Sequence, residues 1–296
     1  MANLKTALRS AFEDGTSYGT VNSNGYLYSF LDNVYDNKMS VEHQQMFDHG
    51  SGGELHSKAE AVHSSSMLGY NFFSWIDKKH PFVWDDVVYT KVYFEVQLRT
   101  LCCRSNPANM DIVLEGEKFG QRVLLFIESK FLEYTNHGKL ELSEAYLMPK
   151  NYYNGSWDSV AYELRVETRD TNHYNEGLKQ SFCHLVALNA LKNEKALAWF
   201  NANNVLQIEN LNDVEIRFTN AIFCPRNDFD AEYDKYQDYE ELYGWFKRFI
   251  ASIAPDSVQP GWSNYSQIWS LMRNQISDTN RKAFLERRYM NFAEKC

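Results

Sequence analysis

Two apolar runs near the middle of the chain show the alternation of β-strands. Residues 123–131 (VLLFIESKF) are rich in branched and aromatic side chains, which indicates a buried strand. The run before it, residues 109–115 (NMDIVLE), alternates as well. Gly116 and Gly120 lie between the two runs and can adopt the positive φ angles of a turn. The pattern therefore predicts an antiparallel hairpin.

Charged side chains interrupt both apolar strands of this hairpin. Side chains alternate faces along a strand, so Glu128 and Lys130 share one face. Pairing across the turn places Asp111 opposite or diagonal to the 126–128 end, within about 5–8 Å. Charges on an apolar strand are costly unless they are paired or coordinated. Two carboxylates can bind Mg²⁺, and a lysine beside the ion can orient or deprotonate its water. The alternative interpretation is a structural ion pair where the sheet meets water.

The rest of the chain predicts a mixed arrangement of helices and strands. Residues 1–50 show no clear period, which indicates loops and short helices. Apolar spacing and strand-forming residues then predict, in chain order, a helix at 65–76, a strand at 90–101, the two hairpin strands, a short helix at 140–147, a strand at 162–167, a helix at 176–191, a strand at 214–223, and helices at 239–251, 265–273 and 280–292. The principal elements run helix, three strands, helix, strand.

Asp111, Glu128 and Lys130, in the order D…E-x-K across a hairpin, resemble the PD-(D/E)XK nuclease superfamily. Further segments are similar to a bacterial restriction-endonuclease-like family within it: 52–55 (GGEL), 63–73 and 177–185. The likeness spans residues 50–225. The proline of the motif is displaced, since Asn109 and Met110 precede the aspartate and Pro107 lies further back.

The resemblance implies an α/β (α+β) fold with an α-β-β-β-α-β core, in which helices flank a mixed central sheet. We expect residues 1–50 to be an N-terminal extension and 51–225 the nuclease core. Residues 226–296 are expected to be a helical region packed on that core.

The resemblance also implies roles for particular residues. Asp111, Glu128 and the Ser129 carbonyl would bind Mg²⁺ or Mn²⁺, and Lys130 would activate water. A glutamate before the first core strand often approaches the metal-bound water in such enzymes. Glu54 is the first candidate for that position and Glu60 the second, although a helix-start acid is an equal alternative.

A polar pair on the helix at 176–191 is a further candidate for the site. Gln180 and His184 are four residues apart, so they share one helical face. They could hold a phosphate or a water molecule above the sheet. A pair whose hydrogen bonds are satisfied within the core or at the surface is the alternative.

Composition constrains these expectations. The 296 residues carry a formal net charge of −9, whereas nucleic-acid binders usually show a basic footprint. Local fields govern binding, however, and basic residues cluster at 78–79, 99–104, 179, 247–248 and 281–288. Each such cluster taken alone is more simply a solvated face. The five cysteines show no paired spacing, which favours a reducing cytoplasm, and no apolar run reaches the length of a membrane span.

The sequence thus predicts a metal-dependent DNA endonuclease, with restriction or phage defence as its candidate role. A homodimer is a further expectation, because double-strand cutting by a fold with one site needs two copies. One rival is a nucleic-acid-binding protein that keeps the fold without catalysis. The other is an interaction protein in which the E-x-K is a surface pair.

Overall fold

The computed structural model describes residues 3–14, 21–22, 25–50, 53, 55, 58–103, 106–135, 142–155, 157–169 and 176–295. Their centre is a six-stranded mixed sheet whose spatial order follows the chain. The first four strands are antiparallel, and the last two continue parallel to the fourth. The strands are β1 (Phe82–Trp84), β2 (Val87–Leu98), β3 (Ala108–Lys118), β4 (Gln121–Lys130), β5 (Val214–Ile222) and β6 (Pro260–Asn264).

Helices surround this sheet, which confirms the predicted mixed α/β class. They are α1 (Leu4–Asp14), α2 (Val41–His49), α3 (Ser65–Phe73), α4 (Trp157–Arg169), α5 (Glu176–Ala190), α6 (Glu194–Asn203), α7 (Asp230–Ile253), α8 (Tyr265–Met272) and α9 (Thr279–Arg288). Short 3₁₀ turns join several of them. Among the described helices, none has both the length and the apolar composition of a membrane span.

The β3–β4 hairpin fixes the position of the charged residues. Its turn is Phe119 and Gly120, with φ angles of 51° and 82°. Two successive positive φ angles suit a two-residue hairpin turn, because its twist matches that of the strands. The ladder runs from Lys118 opposite Gln121 to Ile112 opposite Ile127. The turn itself is two residues long, shorter than a loop spanning residues 115–120 would be. Extending the register by one residue places Asp111 beside Glu128, as predicted.

Helices cover both faces of the hairpin. On β4, Ser129 bonds to Ser65 at the start of α3, whereas Lys130 bonds to Gln180 on α5. Neighbouring residues of a strand point to opposite faces, so α3 and α5 lie on opposite sides of the sheet. Gly69 allows α3 to lie close to the sheet, since a Cβ there would stand 2.6 Å from Ile112 Cδ1. Because Lys130 bonds to Gln180 of α5, the charged residues lie on the face of the sheet that α5 covers.

The structure departs from the predicted elements in three places. Residues 162–167 form part of the helix α4 and not a strand, because Trp157, Val160, Ala161 and Leu164 recur at helical spacing and are buried. The helix predicted at 239–251 begins earlier, at Asp230, because the acidic residues before it also belong to α7. Tyr236, Tyr239 and Tyr243 of α7 are buried. The edge strands β1 and β6 were not predicted at all.

A buried acid–lysine cluster on the central sheet

Glu128 and Lys130 form a buried ion pair on the α5 face of the sheet. The Lys130 ammonium donates to Glu128 Oε1 and to Gln180 Oε1, each at 2.5 Å. Glu128 is 1% exposed and Lys130 7%. Burial lowers the pKa of Lys130, but Glu128, Glu133 and Asp111 outweigh burial, and the net shift is upward. Lys130 is therefore a cation held in place by an acid from its own strand and an amide from α5.

Asp111 lies next to this pair on β3. Its Oδ2 accepts the backbone N–H of Ser129 at 2.7 Å. Burial raises the pKa of Asp111 well above its ordinary value, and the carboxylates of Glu128 and Glu95 raise it further. Asp111 and Gln180 are each partly exposed, so the cluster is not sealed from solvent. We refer to Asp111, Glu128, Lys130 and Gln180 as the acid–lysine cluster.

His184 contacts this cluster from α5, one turn after Gln180. Its Nε2 lies 3.1 Å from the Asn109 carbonyl, and its Nδ1 lies 3.4 Å from Glu128 Oε2. The imidazole is 1% exposed. Burial is the main reason why the pKa of His184 lies below its ordinary value; Lys130 lowers it as well, and Glu128 opposes both. The helical pairing of Gln180 and His184 was predicted, and both side chains reach the β4 acid–lysine pair.

The sequence did not indicate Glu95, a buried acid on β2. Glu95 is 4% exposed, has a φ of 51°, and accepts a hydrogen bond from Asn109 Nδ2 at 2.9 Å. A positive φ is costly for a side chain of this size and is found where the surroundings enforce it. Asn109 thus joins Glu95 to His184 through its side chain and its carbonyl. A charged residue within the apolar run 92–98 is the signal that could have identified Glu95.

Ser129 ties the cluster to the opposite face of the sheet. Its hydroxyl donates to the Ser65 carbonyl at 2.9 Å and shares a 2.6 Å hydrogen bond with the Tyr265 hydroxyl. Tyr265 opens α8 and was not identified from the sequence. These contacts hold the backbone between Glu128 and Lys130. The role of the Ser129 carbonyl as a metal ligand stays a prediction.

Of the two glutamates predicted to assist the site, only Glu60 lies within the described residues. Glu54 lies outside the described residues. Glu60 lies in a turn, where its carbonyl accepts the Leu27 N–H. Within the described part of the chain, Glu60 makes no hydrogen bond or ion pair to the acid–lysine cluster.

The cluster contains a feature that fits a divalent cation. Glu128 Oε2 is buried and has no hydrogen-bond partner among the described residues. In that same part of the chain, no group of three or more His, Cys, Asp or Glu side chains is placed to hold a metal ion. A site for Mg²⁺ needs only one or two carboxylates, because water and substrate oxygens supply the remaining ligands. These residues therefore fit an ion that takes only a few of its ligands from the protein.

Comparison with known proteins identifies no relative of this chain. No protein-family model matches this chain, no curated protein matches its sequence, and no solved structure matches its fold. The resemblance to PD-(D/E)XK nucleases therefore rests on the residues and elements described above.

Proposed function

We propose that this chain is a divalent-metal-dependent DNA endonuclease of the PD-(D/E)XK type. The observation that carries the proposal is the acid–lysine cluster. Asp111 lies on one hairpin strand, and Glu128 and Lys130 lie buried on the next. A buried ion pair contributes little to stability compared with apolar residues of the same size, so its position in a hydrophobic sheet favours a functional role.

The order of elements supports the proposal. In chain order, α3, β2, β3, β4, α5 and β5 are a helix, three antiparallel strands, a helix and a parallel strand, with β1, α4 and α6 inserted between them. This order agrees with the α-β-β-β-α-β core that the resemblance implies. The fold by itself does not imply an activity, because one fold hosts many functions. The cluster on β3 and β4 therefore carries more weight than the topology.

Each residue of the cluster has a role in this reaction. Asp111 and Glu128 would hold the ion, which lowers the pKa of bound water and neutralises charge on the phosphate. Lys130 is fixed by Glu128 Oε1 and Gln180 Oε1, so its ammonium is pre-oriented for a water molecule or a phosphate oxygen. The Gln180 amide positions that lysine.

The net charge of −9 favours the rival reading, a protein that keeps the fold without cutting DNA. Arg288, in the basic segment 281–288, is 5% exposed and donates to the Val62 carbonyl. That arginine therefore cannot contact a phosphate backbone. Against a purely structural pair at the surface, Glu128 and Lys130 are both buried, and Asp111 interacts electrostatically with both.

Cleavage assays with a matched lysine control test the proposal. Purified protein is incubated with supercoiled, linear and single-stranded DNA, and with RNA, in Mg²⁺, Mn²⁺ or EDTA. We expect metal-dependent DNA cleavage that Lys130→Met reduces by about 10²–10⁴-fold. Lys91→Met serves as control, because Lys91 pairs with Glu115 on the sheet and its side chain is 47% exposed. The control should cleave as the wild type does.

Two results would contradict the proposal. Equal cleavage by wild type and Lys130→Met would assign the activity to a contaminant or to another site. Binding of DNA in Mn²⁺ with no cleavage of any substrate would favour the non-catalytic rival.

The same assays test the expected homodimer. Nicking of supercoiled DNA at low protein concentration, with double-strand cuts only at higher concentration, would support it. Restriction or phage defence is the role that we propose for such an enzyme.

A further inference from the structure

Two buried acceptor atoms face each other beside the acid–lysine cluster. The Asn109 carbonyl can only accept a hydrogen bond, so His184 Nε2 carries the proton in their 3.1 Å contact. In the neutral ring, Nδ1 then carries no proton and presents a lone pair. This nitrogen lies 3.4 Å from Glu128 Oε2. Neither Nδ1 nor Oε2 has a hydrogen-bond partner among the described residues. Such a pair of buried acceptors is costly unless a positive species lies between them.

The Lys130 ammonium donates to the other oxygen of Glu128, Oε1, at 2.5 Å, so it satisfies neither of the two facing atoms. A divalent ion satisfies both acceptors at once.

The spacing of the two atoms matches ligands of one ion. With bond lengths of about 2.0–2.2 Å, neighbouring ligands on a metal lie roughly 3.0–3.5 Å apart. Histidines that bind metals usually donate the other ring N–H to a carboxylate or a backbone carbonyl, as His184 does to Asn109. The Asn109 side chain is itself held by Glu95 at 2.9 Å, which steadies this carbonyl.

We propose that Glu128 Oε2 and His184 Nδ1 are adjacent ligands of the catalytic ion, which makes this a mixed oxygen–nitrogen site. The inference rests on the proposed function, since it concerns the metal of the same site. A nitrogen ligand favours Mn²⁺, Co²⁺ or Zn²⁺ over Mg²⁺ and Ca²⁺, because imidazole is a softer donor than a carboxylate. Of Mg²⁺ and Mn²⁺, the site therefore prefers Mn²⁺.

Pulsed electron paramagnetic resonance of the 296-residue chain loaded with Mn²⁺ tests this ligand without any substitution. A coordinated imidazole nitrogen modulates the Mn²⁺ spin echo through its ¹⁴N nucleus. We expect ¹⁴N modulation in the wild type and its loss in His184→Gln. An Mn²⁺ spectrum free of ¹⁴N coupling in the wild type would overturn the inference.

Titration calorimetry supplies an independent readout. His184→Gln should weaken Mn²⁺ binding by at least about 10-fold while changing Mg²⁺ binding by less than about threefold. His43→Gln is the control, because His43 lies on α2 against the Tyr70 and Phe94 rings. This control should bind Mn²⁺ as the wild type does. Equal Mn²⁺ affinity in His184→Gln and the wild type would contradict the proposed ligand.

These measurements separate failure of the inference from failure of the nuclease proposal. Nitrogen-coordinated Mn²⁺ in a protein that cuts no nucleic acid would support the ligand set and reject the nuclease. Metal-dependent cleavage by a protein whose Mn²⁺ lacks a nitrogen ligand would keep the nuclease and reject His184 as ligand.

Discussion

Asp111 is the carboxylate of the acid–lysine cluster that opposes folding when it is ionised, because Lys130 is already paired with Glu128. Asp111 is repelled by Glu128 and Glu95, and burial disfavours its ionised form. We expect Asp111→Asn to raise the free energy of unfolding of the metal-free protein by about 1–2 kcal/mol and to abolish cleavage. Urea unfolding in EDTA measures the stability. Asp86→Asn makes the same change where the side chain is 81% exposed and should leave the stability nearly unchanged.

A loss of stability in Asp111→Asn would contradict this prediction. It would mean that the charge on the carboxylate, through the 2.7 Å hydrogen bond from the Ser129 N–H, contributes more than the repulsion removes.

Sequence spacing was sufficient to predict that some residues of the acid–lysine cluster lie together, but it did not reveal the residues around them. Alternation along β3 and β4 predicted the Asp111, Glu128 and Lys130 constellation, because strand geometry is regular. The contacts of Asn109 and Glu95 were not predicted, because they depend on the positive φ angle of Glu95 and on the position of α5 against the sheet. Tyr265 lies 136 residues from Ser129, so only the folded chain reveals their hydrogen bond.

At the scale of elements, the close approach of α3 to the sheet depends on Gly69. A Cβ at this position would lie 2.6 Å from Ile112 Cδ1 and 3.4 Å from Ser129 Cβ. We expect Gly69→Ala to destabilise the protein by about 1–3 kcal/mol through overpacking. Ile112→Val removes the clashing methyl group, so the double variant should recover much of that loss. Urea unfolding of both single variants and the double variant measures the coupling.

The control for this cycle is Gly244→Ala in α7. A Cβ there would meet only Arg248 Nη1, at 3.6 Å. Alanine is the better helix former, so this change should stabilise the protein by up to about 1 kcal/mol. Independent, additive effects of Gly69→Ala and Ile112→Val would show that the two positions do not touch.

The packing of α2 against the sheet predicts a dependence of stability on pH. His43 lies among aromatic rings, 5.0 Å from the Phe94 centroid, and burial lowers its pKa more than Glu42 raises it, with Arg281 adding to the lowering. The unfolded chain, with a histidine pKa of about 6.5, binds the proton more readily. Folding stability is therefore retained above about pH 6.5 and lost as pH falls below it.

Replacing His43 with glutamine removes this contribution. His63 and His184 also have lowered pKa values, so both proteins should lose stability on acidification. We expect the wild type to lose more than His43→Gln between about pH 7 and 5. Thermal unfolding across this range measures the difference, and parallel curves would contradict the assignment.

The elements that sequence patterns predicted well are those with a strong, regular period. The helix at 65–76 and the strands of the hairpin are of this kind. β6 (PGWSN) contains a proline and a glycine, which normally argue against a strand, and it forms through pairing with β5 at the sheet edge. In residues 162–167, branched and aromatic residues favoured a strand, but the apolar face of the longer 157–169 segment determined a helix.

For the molecule as a whole, the C-terminal segment is packed into the centre of the fold. β6 extends the central sheet, Tyr265 bonds to Ser129, and Tyr239 of α7 stacks on Tyr134 with ring centroids 6.3 Å apart. The N-terminus takes part too, since the Arg288 guanidinium lies 4.5 Å from the centre of the Phe12 ring. These contacts join the N-terminal and C-terminal helices around the sheet that carries the acid–lysine cluster.

These contacts predict that the core expected at 51–225 depends on residues 226–296 for its folding. A fragment of residues 1–225 contains the whole α-β-β-β-α-β series, yet it would leave the edge of β5 unpaired and the buried face beneath α7 and α8 exposed to water. We expect this fragment to lose near-ultraviolet circular dichroism and cooperative urea unfolding, whereas the full chain unfolds in one transition. A fragment with native-like spectra and metal-dependent cleavage would instead show that residues 51–225 form a self-sufficient core and that the C-terminal contacts to Ser129 and Tyr134 are dispensable for the site.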